Sequence, residues 1–221
     1  MAQQSHANAS LSPAEKNIVT IAAFTANGDL KKLDTALRTG LDAGLTVNEC
    51  KEVLIQMYAY AGFPRSLNGI NTLMQVLGDR KKSGKTDIDG KDASPLPANA
   101  DKDDYGAKVR ATLAGQSAIP APAGYQLFAP TIDAFLKQHL FADIFARDAL
   151  DFKQRELATI SALAAMTGTQ GQLRFHLKAA MNTGLSEEQL KDFVAVLAES
   201  LGSETATNVQ DILTEVLGQK P

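Results

Sequence analysis

Of the three histidines in this chain, one stands where an imidazole is out of place. In the stretch QLRFHLKAAMNTGLSEEQL, residues 172–190, Leu173, Leu177, Ala180 and Met181 recur at helical spacing and form an apolar stripe. His176 lies three residues after Leu173 and four before Ala180, so it shares that stripe. Such an imidazole is either a core group satisfied by its neighbours or a general acid/base. Glu156 poses the same question, because it shares a helix face with Ile160 and Leu163. A carboxylate there is either half-buried and partnered, or tuned by desolvation for proton transfer. Arg147 and Arg174 could hold substrate carboxylates, since a guanidinium matches a carboxylate fork; the competing role for each is an ordinary ion pair. Arg155 reads as a solvated or bridging charge, because consecutive helix residues point apart.

The remaining reactive residues mostly exclude chemistry. A single cysteine, Cys50, rules out an intramolecular disulfide, a cysteine-based zinc cluster and a Cys-x-x-Cys redox pair. Cys50 reads as a small buried hydrophobe. His6 and His139 are not expected to act. Scattered histidines without an H-x-x-x-H spacing or clustered carboxylates predict no metal site, and no cofactor is expected. A net charge of −3 gives no reason to expect nucleic acid or an anionic membrane as partner. No apolar run approaches the ~20 residues of a membrane span. The start, MAQQSHANASLSPAEK, lacks an apolar signal core, which points to the cytoplasm; an exported protein whose signal peptide has been removed is the alternative.

The elements that position these groups read as helices almost throughout, with no alternating strand pattern. Ser12 and Pro13 open the first helix with Glu15 at its third position, and Ser186 with Gln189 makes a second capping box. The chain also repeats itself. At an offset of 140, Gly28 meets Gly168, Leu33 meets Leu173, Leu37 meets Leu177, Gly44 meets Gly184 and Gly62 meets Gly202. The VLG at 76–78 meets the VLG at 216–218. Before Gly28 the offset is 139, and Thr20 and Ile21 meet Thr159 and Ile160. This is a tandem duplication of a unit of about 65–70 residues, each a bundle of roughly four helices. The predicted organisation is a first unit over 12–78, a linker over 79–125 and a second unit over 126–218. Residues 78–106 are charged and rich in Gly, Pro and Ser, and read as a long, partly mobile surface connection. Two small bundles with matching apolar faces should pair about a pseudo-two-fold axis within the chain.

The repeat sharpens the candidate residues. The sister of His176 is Ala36 and the sister of Glu156 is Asn17, so the fold itself does not need either group. Tyr60, Gly62, Phe63 and Pro64 form an aromatic turn in the first unit that becomes SLGSE in the second. We therefore expect one working site per chain, around the second unit, with the first unit acting mainly as its packing partner.

Two stretches resemble the carboxymuconolactone decarboxylase family. One is LFADIFARDALDFKQRELATISALAAMTGTQGQLRFHLKAAMNTGLSEEQLKDF; the other is EKNIVTIAAFTANGDLKKLDTALRTGLDAGLTVNECKEVLIQMYAYAGFPRSLNGINTLMQVL. The resemblance implies an all-α fold of two tandem helical-bundle repeats, of the carboxymuconolactone decarboxylase/alkylhydroperoxidase-like kind. It implies a small-molecule substrate and a homo-oligomer, with a trimer favoured. It implies Glu156 and His176 as the proton-handling pair, with Arg147, Arg174 and Tyr60 as candidates for substrate binding. The family has a decarboxylase branch and a thiol-peroxidase branch. Counting back from His176, the peroxidase cysteines would fall at Thr169 and Gln172, so a peroxide-reducing protein is disfavoured. The expected activity is a cofactor-independent carboxy-lyase acting on a carboxylated lactone. A non-catalytic or ligand-binding oligomer, and an isomerase or hydrolase on the same fold, are the alternatives.

Overall fold

The computed structural model describes residues 10–94 and 96–218; the extreme start, including His6, lies outside them. Among the described residues all regular structure is helical. The first unit comprises α1 (Pro13–Asn27), α2 (Leu30–Asp42), α3 (Val47–Ala61) and α4 (Phe63–Lys82). After an intervening stretch comes α5 (Lys102–Leu113), the short α6 (Tyr125–Phe128) and α7 (Pro130–Phe135), and a π-helical segment, Leu136–Ile144. The second unit has α8 (Phe152–Ala164), α9 (Gln170–Asn182), α10 (Glu187–Leu201) and α11 (Ser203–Gly218).

The tandem duplication is visible residue by residue. Helices α1 and α8 start at 13 and 152, a difference of 139; α2 and α9 start at 30 and 170, α3 and α10 at 47 and 187, and α4 and α11 at 63 and 203, each a difference of 140. The punctuation repeats too. Capping boxes open α1, α3, α8 and α10, from Ser12, Thr46, Asp151 and Ser186, each satisfying backbone donors that a helix start leaves orphaned. Gly62 and Gly202, which separate the last two helices of each unit, take nearly the same left-handed conformation (φ 86° and 101°).

Helices α1 and α8 are buried almost all round and pack against each other at the centre of the molecule. A surface helix buries only one apolar stripe, whereas these two are covered on most sides, so polar groups on α8 such as Arg155, Glu156 and Thr159 are carried into the interior. The pseudo-two-fold relation shows in the secondary contacts: α3 touches α8, and its sister α10 touches α1. One hydrophobic core runs through both units. The symmetry extends to charge. Arg155 of α8 meets Glu52 of α3 at 3.0 Å, and their sisters Lys16 and Asp192 meet at 2.9 Å. The first pair is sealed in, with side-chain exposures of 0% and 4%; the second is open, at 41% and 18%. Arg155 is thus a buried bridging charge and not a solvated one. Its partners lie 99 and 103 residues away in sequence, where Gln56 Oε1 accepts from it at 2.9 Å and Glu52 Oε2 at 3.0 Å; the Arg147 carbonyl also accepts.

The intervening stretch divides in two. Of residues 78–106, expected to be a surface connection, 78–82 belong to α4 and 102–106 to α5; between them the described residues form no helix, and the chain is pinned where Val47 and Asn48 N–H donate to the carbonyls of Ile88 and Asp89. From Lys102 onward it becomes structure. Helix α5 packs on the π-helical segment through a second small core of Val109, Leu113, Leu140, Phe141, Ile144 and Phe145, which also takes in Ala179 of α9. The approach is close: a Cβ on Gly106 would stand 1.8 Å from the Lys137 carbonyl oxygen, so no other residue fits there.

The two pseudo-equivalent ion pairs provide a matched test. Arg155→Ala should lower unfolding free energy by about 3 kcal/mol, because it leaves buried Gln56 Oε1 and the Arg147 carbonyl without their donor, while Arg147 still holds Glu52. Lys16→Ala should cost under ~1 kcal/mol, as exposed pairs do. Urea denaturation of both variants measures the difference; equal losses would contradict the burial described here.

Candidate functional site

His176 projects from α9 and Glu156 from α8, and the fold brings them together: His176 Nδ1 lies 2.7 Å from Glu156 Oε2. Glu156 is fully buried and His176 is 6% exposed. With Glu156 ionised, Nδ1–H donates to the carboxylate, and Nε2 is the ring nitrogen left for other work. Glu156 Oε1 has no hydrogen-bond partner among the described residues. A buried carboxylate oxygen left unmatched is costly, and such groups gather where function demands them.

The pair stands at the wall of a cavity of about 740 Å³, the size range of small-molecule sites. His176 lines it and Glu156 does not, so Glu156 acts from behind the ring. Leu163, Met166, Thr169, Gln172 and Phe175 come from the second unit. The Phe175 ring meets His176 edge-on, at 5.1 Å between centroids. Thr169 and Gln172, which stand where the peroxidase branch has its cysteines, both line the cavity, so no thiol is present there.

Tyr60 enters from the first unit. Its ring meets His176 edge-on at 6.0 Å, and its hydroxyl accepts from Thr159 Oγ1 at 3.2 Å. Gln56 Nε2 donates to Thr159 Oγ1 at 2.9 Å and to the Arg155 carbonyl at 2.9 Å, so the Tyr60 hydroxyl is tied to the buried Arg155–Glu52 centre. Burial, and after it the nearby Glu156 carboxylate, push the Tyr60 phenol well above its ordinary range. It stays a hydroxyl and can donate. The first unit is therefore more than a packing partner, since it supplies a polar group to the site. The sister of Tyr60 is Ser200, and with Asn17 and Ala36 the mirror-related position carries none of the three side chains.

The predicted arginines lie elsewhere. Arg147 clasps Glu52, with Nη2 at 2.6 Å and Nε at 3.0 Å from both carboxylate oxygens. Arg174 pairs with Glu215 at 2.6 Å on the exposed side of α9. Neither lines the cavity, and each has spent its fork on a carboxylate of the chain itself. The arginine that does line it is Arg110 of α5, in the stretch expected to be linker. Its Nη1 donates to Asp133 Oδ1 at 2.5 Å, and Gln126 Nε2 donates to the same oxygen at 3.1 Å. Burial alone would raise the Asp133 carboxyl; the hydrogen bonds from Arg110 and Gln126 outweigh it and hold it below its ordinary value. A basic residue four before Ala114 on a helix carrying Ala107 and Ala111 was the available signal, but it meant nothing until α5 was known to cover a cavity.

The comparisons with known proteins come down on the same side. A model of the carboxymuconolactone decarboxylase family matches residues 1–73 and 130–215, more than half of the sequence. The chain belongs to the carboxymuconolactone decarboxylase family. A relative of that family, a 4-carboxymuconolactone decarboxylase from Acinetobacter baylyi, is 28% identical over 90 residues. That stretch spans 39% of this chain and 66% of the relative. Helix α5 and Arg110 fall between the two family-matched segments. Among the described residues no helix is long and apolar enough to cross a membrane, and no group of His, Cys, Asp and Glu could hold a metal ion.

Cys50 is fully buried on α3, and burial raises its thiol to about 12. The folded protein should therefore resist N-ethylmaleimide at neutral pH and take up a single adduct only in denaturant, read by intact mass. Rapid labelling of the folded chain would show a thiolate that this structure does not provide.

Proposed function

We propose that the chain is a cofactor-independent carboxy-lyase acting on a carboxylated lactone, with His176 as the proton donor. The observation that carries this reading is the buried His176–Glu156 hydrogen bond at the wall of a cavity, at 2.7 Å. It is supported by family membership and by the relative named as a 4-carboxymuconolactone decarboxylase.

The chemistry needs little from the protein. In 4-carboxymuconolactone the departing carboxylate sits on a ring carbon one double bond away from the lactone carbonyl. When the C–C bond breaks, CO2 leaves and the electron pair delocalises into that carbonyl as a dienolate. The substrate is its own electron sink. The protein must orient the ring, stabilise the oxygen that becomes negative, and deliver one proton to carbon. The imidazolium of His176, with Nδ1–H on Glu156 and Nε2–H toward the cavity, is the acid. Glu156 is a positioning residue: it fixes the ring and balances the imidazolium charge. The Tyr60 hydroxyl, kept protonated, is a donor for the dienolate oxygen.

Decarboxylation of 4-carboxymuconolactone, followed spectrophotometrically, tests the reading. The wild-type chain should turn the lactone over. His176→Ala should lower kcat by about 100-fold or more, in line with lost general acid catalysis. Glu156→Gln, which keeps the shape and removes the charge, should lower kcat by roughly 10-fold or more with KM little changed. No turnover by wild type, or full activity in His176→Ala, would sink the proposal.

A further inference from the structure

Arg110 has no place in the proton transfer, yet it is built into the same cavity. Its side chain is only 15% exposed, and one N–H of its five donors is engaged, on Asp133. Asp133 is itself held by Gln126 at 3.1 Å and lies 3.5 Å from Lys137 Nζ, so it is a fixed anchor. Arg110 and His176 are the basic residues among those that line the cavity, and no acidic residue lines it. The other polar side chains there are neutral: Tyr60, Gln116, Gln126, Thr169 and Gln172, with Tyr125 on the covering side. A cation anchored at one end, with its remaining donors unspent and no carboxylate of the chain competing inside the cavity, is made for an anionic group of a ligand.

Which anionic group follows from the chemistry, given the decarboxylase reading on which this inference rests. A carboxylate that departs as CO2 loses its charge on the way to the transition state. A cation fixed on it would stabilise the ground state more than the transition state and would slow the reaction. The cation must therefore meet a charge that persists. We infer that Arg110, oriented by Asp133, is a specificity-determining residue that binds a second carboxylate of the substrate, one that is retained in the product. The departing carboxylate then sits away from Arg110, against the apolar part of the wall. Because α5 lies outside the family-matched segments, this discrimination belongs to the inserted part of this chain and not to the repeat. The product keeps the recognised carboxylate and competes for the same arginine.

The test compares 4-carboxymuconolactone with its side-chain methyl ester, in the wild type and in Arg110→Met. For the diacid, Arg110→Met should raise KM by about 10- to 100-fold, the scale of a lost charge-assisted hydrogen bond, with kcat within a few-fold of wild type. For the ester, wild type should already show the raised KM, and Arg110→Met should add nothing. Asp133→Asn should raise KM for the diacid by less than Arg110→Met, leave kcat unchanged, and add nothing to the Arg110→Met background. Equal KM for ester and diacid in wild type, or a loss of kcat without a change in KM in Arg110→Met, overturns the assignment. Calorimetric titration of muconate, an open-chain dicarboxylate, separates this inference from the reading beneath it. Binding that is lost in Arg110→Met and kept in His176→Ala supports the anion site even if wild type decarboxylates nothing; binding indifferent to Arg110→Met overturns it.

Discussion

The packing of α1 against α8 is the constraint from which the rest follows. Neither four-helix unit can cover its own central helix, and each uses the other to do so. Pressing the two together puts α3 of the first unit across α8 of the second, and the polar groups on those faces have to be satisfied in the interior. Arg155, Glu52, Gln56 and Thr159 answer one another there. Tyr60 is the last member of that network, and it reaches the cavity within ring contact of His176. The stability of the paired units and the geometry of the site are thus one arrangement of side chains.

The two units are pseudo-symmetric in fold but not in the residues at the cavity. At the mirror-related position the acid, the imidazole and the phenol are Asn17, Ala36 and Ser200. The structural ion pair has been kept on both sides, as Arg155–Glu52 and Lys16–Asp192, although only one is sealed from water. The segment of α5 to Ile144, which has no counterpart among the described residues of the first unit, roofs the cavity and adds an arginine to it.

Much of this was legible in the sequence because it is local or periodic. Helix starts announce themselves through residues three apart, as at Ser12 and Glu15, and the offset of 140 aligns the helices from the sequence alone. His176 and Glu156 stood out because each sat on an apolar face whose sister carried a small or neutral residue. The arginines were opaque for the opposite reason. Whether a guanidinium is free for substrate depends on the carboxylates around it, and those came from far away: Glu52 to Arg147 is a separation of 95 residues. Arg147 and Arg174 were spent on such partners, while Arg110 kept its donors. The charged, glycine-rich composition of 78–106 signalled a loop and concealed that Gly106 is the point of closest helix contact.

The central claim is that the proton reaching carbon comes from His176 at the cavity wall, and not from bulk water. Decarboxylation of 4-carboxymuconolactone in D2O, with the configuration of the new C–D bond read by NMR, tests it most directly. A single deuterium placed on one face of the product is the predicted result. Deuterium distributed over both faces, or no enzymatic turnover at all, would contradict the account.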